Sequence, residues 1–187
     1  VQDVLYDEDG SLGVVVETER GSLPFVLLHG EALVACAAWA LGEAGVTQVD
    51  IGTGWAALVE AEEPVVLHDP LCPMTPADFI ASCVERCAAT QAVVVAVRPV
   101  TDTLKSVDGD GVVEGTVDRE TMRQVTSPIV LPASVVAGLE GLPSTDFATL
   151  AAELASRYPV VTMQAPPEGR RVGDEDDVRV LEALTAR

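Results

Sequence analysis

Aromatic side chains are scarce in this chain: two Trp, two Tyr and three Phe, 4% of 187 residues. A core built around rings is therefore excluded, and the interior must come from Val, Leu and Ala. Basic side chains are scarce too, 11 Lys and Arg against 30 Asp and Glu, for a formal charge of −19. Phosphate backbones and anionic headgroups are held by clustered Lys and Arg, so this balance argues against nucleic acid and membrane partners. No apolar run reaches the roughly 18 residues that a membrane-spanning helix requires. The first ten residues, VQDVLYDEDG, lack both the basic and the apolar part of a secretory signal, and a cytoplasmic location is expected. The four cysteines, Cys36, Cys72, Cys83 and Cys87, are then expected as buried thiols rather than disulfides. Cys83 and Cys87 share the spacing of one helix face, which leaves a metal reading open. Only His29 and His68 are available to assist, and no paired metal-ligand motif accompanies them. Neither histidine has a visible Ser or Cys partner, which removes a nucleophilic triad.

What remains is 48% apolar, enough for one domain with a full core, here 1–187. Val-rich runs at 13–17, 46–51, 64–67, 92–97 and 160–163 predict strands. The run at 92–97, AVVVAV, has no polar residue, as expected for a strand buried on both faces. Apolar residues at helical spacing predict helices over 31–43, 55–62, 76–90, 132–139, 144–157 and 174–185. Thr75 is expected as an N-cap with Pro76 at the first helical position. Asp174 is expected to cap the last helix, with Asp177 closing an acidic form of the capping box. Alternating strands and helices predict a three-layer α/β protein with a mostly parallel sheet. Residues 100–117 read as an extended arm with a hairpin turn near 108–111.

The densest signal is residues 92–128, AVVVAVRPVTDTLKSVDGDGVVEGTVDRETMRQVTSP. A buried strand leads into Pro-Val-x-Asp-Thr-x-Lys, then a glycine-containing turn, then Thr-Val-Asp-Arg before Ser-Pro. Upstream, Leu67-His68-Asp69 ends a strand before Pro73 and a helix. This series resembles the 2-C-methyl-D-erythritol 4-phosphate cytidylyltransferase family of non-mevalonate isoprenoid synthesis. The resemblance runs from about Leu23 and is strongest over 65–131. It implies the nucleotidyltransferase (nucleotide-diphospho-sugar transferase-like) fold and a homodimer joined through the 100–117 arm. By the same resemblance Asp69 lies near the metal, Mg2+, and the triphosphate. Thr103 and Arg119 stand at the phosphate of the acceptor, and Arg171 takes a position occupied by Lys in the family.

The likeness is lopsided. Where the family has a Gly-rich loop, an Arg and a catalytic Lys, this chain runs Thr18-Glu19-Arg20-Gly21-Ser22-Leu23. Glu17 and Glu19 put negative charge where a triphosphate would lie. Cys72 replaces an Arg, Thr126-Ser127-Pro128-Ile129 replaces Gln-Thr-Pro-Gln, and a base-reading Gly-Gly-x-x-Arg-x-x-Ser-Val segment has no counterpart between 50 and 63. In-line attack between phosphates needs positioned, neutralised oxygens. The expectation is therefore a degenerate member with lost or weak CTP binding. Its role would be that of a binding protein, beside an active paralogue or for a small phosphorylated ligand. The alternative is an active enzyme that transfers CMP from CTP, with Arg20 and Arg171 as candidate catalytic cations. A third class, a sugar-transferring relative, rests on fold analogy and on the Asp108-x-Asp110 spacing. The plainer readings stay beside these: Asp69 as a loop carboxylate, Arg119 paired with Asp118 or Glu120, Lys105 as a surface charge, and Trp39 and Trp55 as core or interface anchors.

Overall fold

The computed structural model describes residues 10–50, 52–100, 105–107, 109–110, 113–116 and 122–186, leaving aside the side chains of 105–107 and 113–116. In chain order, β1 is Leu12–Val15, β2 is Leu27–Leu28 and β3 is Glu31–Ala32. Helix α1 is Leu33–Glu43, β4 is Thr47–Gln48, α2 is Trp55–Ala61, β5 is Val65–His68, α3 is Ala77–Thr90 and β6 is Val93–Pro99. The arm holds β7 (Lys105–Val107) and β8 (Val113–Thr116). Then come β9 (Arg123–Leu131), α4 (Ala133–Ala137), α5 (Phe147–Ala155), β10 (Val160–Gln164) and α6 (Glu175–Thr185). Single 3-10 turns stand at Leu23–Phe25 and Pro167–Gly169.

Six strands form one sheet in the order β10-β6-β9-β5-β1-β4. Strand β9 lies antiparallel between β5 and β6, while the remaining neighbours are parallel. The sheet is mostly parallel, as expected, with this one reversed strand in its centre. Alternate side chains feed two cores. Val65, Leu67, Val93, Val95, Ile129 and Leu131 pack under α2, α4 and α5. Val66, Val94 and Val130 pack against Leu41 of α1 and Ile80, Cys83 and Cys87 of α3. Period-two alternation with both faces buried is what a central strand of a three-layer protein requires. Cys83 and Cys87 are thus core thiols, with burial pushing them up to about 12 and about 11.

Several local expectations are corrected. Helix α3 begins at Ala77 with Pro76 as N-cap, and the Thr75 hydroxyl donates instead to the Cys72 carbonyl at 2.9 Å. Helix α1 starts two residues later than expected because Glu31 and Ala32 pair with Leu28 and Leu27. The 46–51 run makes only a two-residue edge strand. Asp174 caps α6 by accepting the Asp177 N–H at 2.9 Å, but the Asp177 carboxylate reaches back to Gly173 N–H rather than to Asp174. Trp55 is an anchor, its Nε1–H donating to the carbonyls of Val136 and Leu139, whereas Trp39 is 57% exposed.

Strand β1 approaches α1 closely at Gly13, where an added Cβ would sit 2.5 Å from Val46 Cγ1 and 3.3 Å from Leu41 Cδ1. Overpacking at such a point costs about 1–3 kcal/mol. Gly13→Ala is expected to lose that much in urea unfolding, and Val46→Ala in the same chain is expected to recover part of it.

Candidate functional site

Loops leaving the carboxyl ends of parallel strands converge, and such ends are where ligands gather in α/β sheets. Asp69 follows β5 directly and is 1% exposed. Two guanidinium groups close on it. Arg20, in the loop after β1, donates Nε–H to Asp69 Oδ1 at 3.0 Å, and Arg171, in the segment before α6, donates Nε–H to Oδ2 at 2.9 Å. The Leu71 N–H also donates to Oδ1, at 3.0 Å. A buried carboxylate is tolerable when both oxygens are paired in this way.

Each of the three guanidinium nitrogens of Arg20 makes a hydrogen bond in this arrangement. Its Nη1 donates to the Thr18 carbonyl at 3.2 Å and its Nη2 to the Thr145 carbonyl at 2.6 Å. The guanidinium carbon lies 5.8 Å from the Phe147 ring centroid, within reach of a cation–π contact. Only 5% of its side chain is exposed. Glu19, in the left-handed region at φ 63°, accepts the Thr145 hydroxyl. The 18–22 loop is therefore folded down on the segment ahead of α5, and the left-handed Gly21 (φ 61°) lets it turn back.

Behind Asp69 lies a second buried cluster. Ser127 Oγ accepts the Asp69 N–H at 2.9 Å and lies 2.5 Å from His68 Nδ1. His68 is fully buried and its Nε2 has no hydrogen-bond partner among the described residues. Burial lowers its pKa to about 4, against a smaller opposing pull from Asp69, so the ring is neutral at pH 7. Cys72, where the family resemblance calls for Arg, is fully buried. Desolvation first, then the Asp69 charge, push its thiol well up. It offers neither a positive charge nor a nucleophile.

Beside this cluster is a cavity of about 190 Å³ whose lining includes Val16, Thr18, Asp50, Trp55, Leu67 and Thr145. Small-molecule sites usually enclose about 300–1,000 Å³, and a nucleoside triphosphate belongs at the upper end. A second, polar cavity of about 320 Å³ lies on the far side of Arg171, between the end of β6 and α6. A further cavity, of about 670 Å³, opens between α1 and the start of α3 near Trp39 and Met74. It contains none of the candidate catalytic, substrate or metal residues read from the sequence.

Of those residues, Arg20, Asp69 and Arg171 are brought together. Asp102, Thr103, Asp108, Asp118 and Arg119 lie outside the described residues. The β7–β8 hairpin is present, with Lys105 paired to Thr116 and Ser106 to Gly115 in a two-stranded sheet of its own. Sequence reasoning missed Ser127 as the partner of both His68 and Asp69, and Thr145 as a carbonyl anchor. It also missed Arg98 and Arg170, although an Arg-Arg pair at 170–171 in so acidic a chain was a readable signal.

A divalent ion such as Mg2+ takes about six oxygen ligands in octahedral array. Asp69 presents two oxygens, both already accepting from arginine, and no group of three His, Cys, Asp or Glu side chains suited to a metal occurs among the described residues. The residues present do not fit the ion while Arg20 and Arg171 hold this carboxylate.

The profile of the 2-C-methyl-D-erythritol 4-phosphate cytidylyltransferase family matches residues 25–163. The enzyme of that name from Prochlorococcus marinus is 33% identical over 145 residues, 74% of this chain and 63% of that protein. The one from Nocardia farcinica is 36% identical over 124 residues, 65% of this chain and 53% of that protein. This chain thus spans between about half and two thirds of the length of these relatives. Among solved structures, the cytidylyltransferase from Thermus thermophilus superposes with a TM-score of 0.71 at 22% identity, covering 94% of this chain and 98% of that one. A 4-diphosphocytidyl-2C-methyl-D-erythritol synthase gives a TM-score of 0.72 at 16% identity, covering 95% and 99%. These likenesses carry the fold.

Proposed function

This chain belongs to the 2-C-methyl-D-erythritol 4-phosphate cytidylyltransferase family of isoprenoid biosynthesis, and from that premise we propose that it is a member with lost or weakened nucleotide binding that keeps recognition of a small phosphorylated ligand. The observation that carries this reading is the state of Arg20. Its three nitrogens are engaged by Asp69, Thr18 and Thr145. No lysine stands among residues 18–28 to replace it. A triphosphate here would have to draw Arg20 out of a buried network and leave Asp69 short of a partner, which is costly in a low-dielectric site. The adjoining 190 Å³ cavity gives a cytidine little room.

The reading includes a homodimer through the arm. A two-stranded ribbon is marginal alone in water, and β7–β8 pairs with no other strand of the described structure, so packing on a second copy would give it support. The reading also puts the protein in the cytoplasm, beside an active paralogue that performs the transfer.

The second reading is an active transferase that moves CMP from CTP to 2-C-methyl-D-erythritol 4-phosphate. The family match over 25–163 favours it. The two readings separate in a pyrophosphate-release assay with both substrates and Mg2+. We expect no release above the enzyme-free rate. Steady release that falls in Arg20→Ala would establish the second reading and give Arg20 a catalytic role.

A further inference from the structure

Helix α1 is apolar on more than its buried side. Its stretch from Leu33 to Leu41, LVACAAWAL, holds no charged or amide side chain. A helix with one face on a sheet is expected to turn a polar face to water. Leu33, Ala37 and Leu41 supply the buried face of α1. Cys36, Trp39, Ala40 and Glu43 recur at the i, i+3, i+4, i+7 spacing of another face. All four line the cleft of about 670 Å³, opposite Met74 and the start of α3. Trp39 is 57% exposed there.

This apolar cleft is negative at its opening. Glu31, Glu43 and Glu168 belong to its lining, and no Lys or Arg does among the described residues. None of the three carboxylates makes a hydrogen bond or an ion pair among the described residues. The Glu31 charge reaches the Cys36 thiol, where it adds to burial in pushing that group up. His29, also at the cleft, is turned to α6: its Nε2 shares a 2.7 Å hydrogen bond with the Thr185 hydroxyl, and its Nδ1 lies 3.8 Å from Glu182.

We propose that this cleft binds a small amphipathic organic cation, an ammonium group on an aromatic or alkyl body, with Trp39 as its wall and Glu31, Glu43 and Glu168 around its charge. Charge complementarity selects this occupant. An anion would meet three unpaired carboxylates. A second copy docked on the same face would set those carboxylates against their own kind, at a formal charge of −19 per chain. The volume of about 670 Å³ falls within the roughly 300–1,000 Å³ of small-molecule sites. An exposed indole is the best aromatic face for a cation. The inference goes beyond the proposed function and uses none of the residues on which that reading rests.

The test is calorimetric titration with three probes that share a phenyl body: phenethylammonium, neutral 2-phenylethanol and anionic 3-phenylpropanoate. The wild-type chain is expected to bind phenethylammonium at one site, 2-phenylethanol about tenfold more weakly, and 3-phenylpropanoate not at all. Trp39→Ala is expected to weaken the cation several-fold, with circular dichroism as a check on folding. Glu31→Gln/Glu43→Gln is expected to do the same and to flatten the dependence on salt. Glu153→Gln, on α5 across the sheet from α1, is expected to change nothing. Cys36 is the partly exposed thiol, while Cys72, Cys83 and Cys87 are buried, so alkylation with N-ethylmaleimide places a bulky group in the cleft and is expected to abolish binding. Equal affinity for the three probes, or a cation affinity unmoved by the folded Trp39 and glutamate variants, would overturn the proposal. So would binding of tetralysine without phenethylammonium, which marks a basic protein segment as the occupant, or self-association that blocks Cys36 alkylation, which marks a second copy.

Discussion

Asp69→Ala is expected to destabilise the fold by about 3–5 kcal/mol, the usual cost of removing one partner from a buried ion pair. The size follows from what is left behind. Arg20 is 5% exposed and would keep its charge with only two carbonyl partners, and the Leu71 N–H would lose its acceptor. Arg171, a third exposed, can turn to solvent and adds little. Asp69→Asn keeps an oxygen for one donor and is expected to cost about half as much. Arg20→Ala should cost less than Asp69→Ala, because the carboxylate retains Arg171 and Leu71. A double-mutant cycle on urea midpoints gives the coupling, expected at about 1 kcal/mol or more. An Asp69→Ala loss under about 1 kcal/mol would mean that the network is solvated and open to exchange with a ligand.

His68 supplies the second large effect, read as a dependence on pH. Its pKa in the fold is about 4, lowered by burial from 6.5. Between those values the unfolded chain binds the proton and the folded chain does not, so stability rises with pH across this window. The contribution is complete above about pH 6.5, falls away as pH drops towards 4, and is constant below. A shift of this size corresponds to about 3 kcal/mol. Carboxylates titrate at the acid end of the same range, so the quantity to measure is the difference between wild type and His68→Gln. That difference is expected to shrink from about pH 7 to about pH 4. A difference independent of pH would contradict a buried neutral imidazole.

The sequence was most readable where one physical rule acted alone. The polar-free run at 92–97 could only be a strand covered on both faces, and β6 is that strand. Gly45, with φ 79°, ends α1 as a glycine after a helix should. The antiparallel β7–β8 pair was legible as two extended runs on either side of Gly109-Asp110. Strand β9 was invisible for the opposite reason. It opens with Arg123, Gln124, Thr126 and Ser127 and carries Pro128 at its centre, features that argue against an interior strand. The fold accommodates them where the β6–β9 register shifts, between Val95 and Val97, so Pro128 falls in the irregular stretch. Thr75 resembled an N-cap because its local sequence permits one, but the helix starts one residue later, with Pro76 as N-cap, and the Thr75 hydroxyl donates to the Cys72 carbonyl. The convergence of Arg20, Asp69 and Arg171 spans 49 and 102 residues along the chain. No local pattern encodes such a contact; only the family resemblance made these three positions candidates.

The same convergence is what the proposed reading uses to join family membership to weakened nucleotide binding. With only a short loop after β1, Arg20 lies against Asp69, which accepts its Nε–H. Paired there, Arg20 ties the short loop to Asp69 and Thr145, and on the proposed reading it is thereby withdrawn from ligand binding. The positive charge that remains accessible lies on the other side of Arg171, with Arg98 and Arg170.

The most direct measurement is calorimetric titration of CTP with Mg2+ into the wild-type chain, at concentrations that detect a dissociation constant of about 1 mM, near −4 kcal/mol. No saturable heat at two temperatures is the result predicted by a site whose arginine is held by Asp69. One-site CTP binding, lost in Arg20→Ala, would contradict it and return the chain to the active transferases.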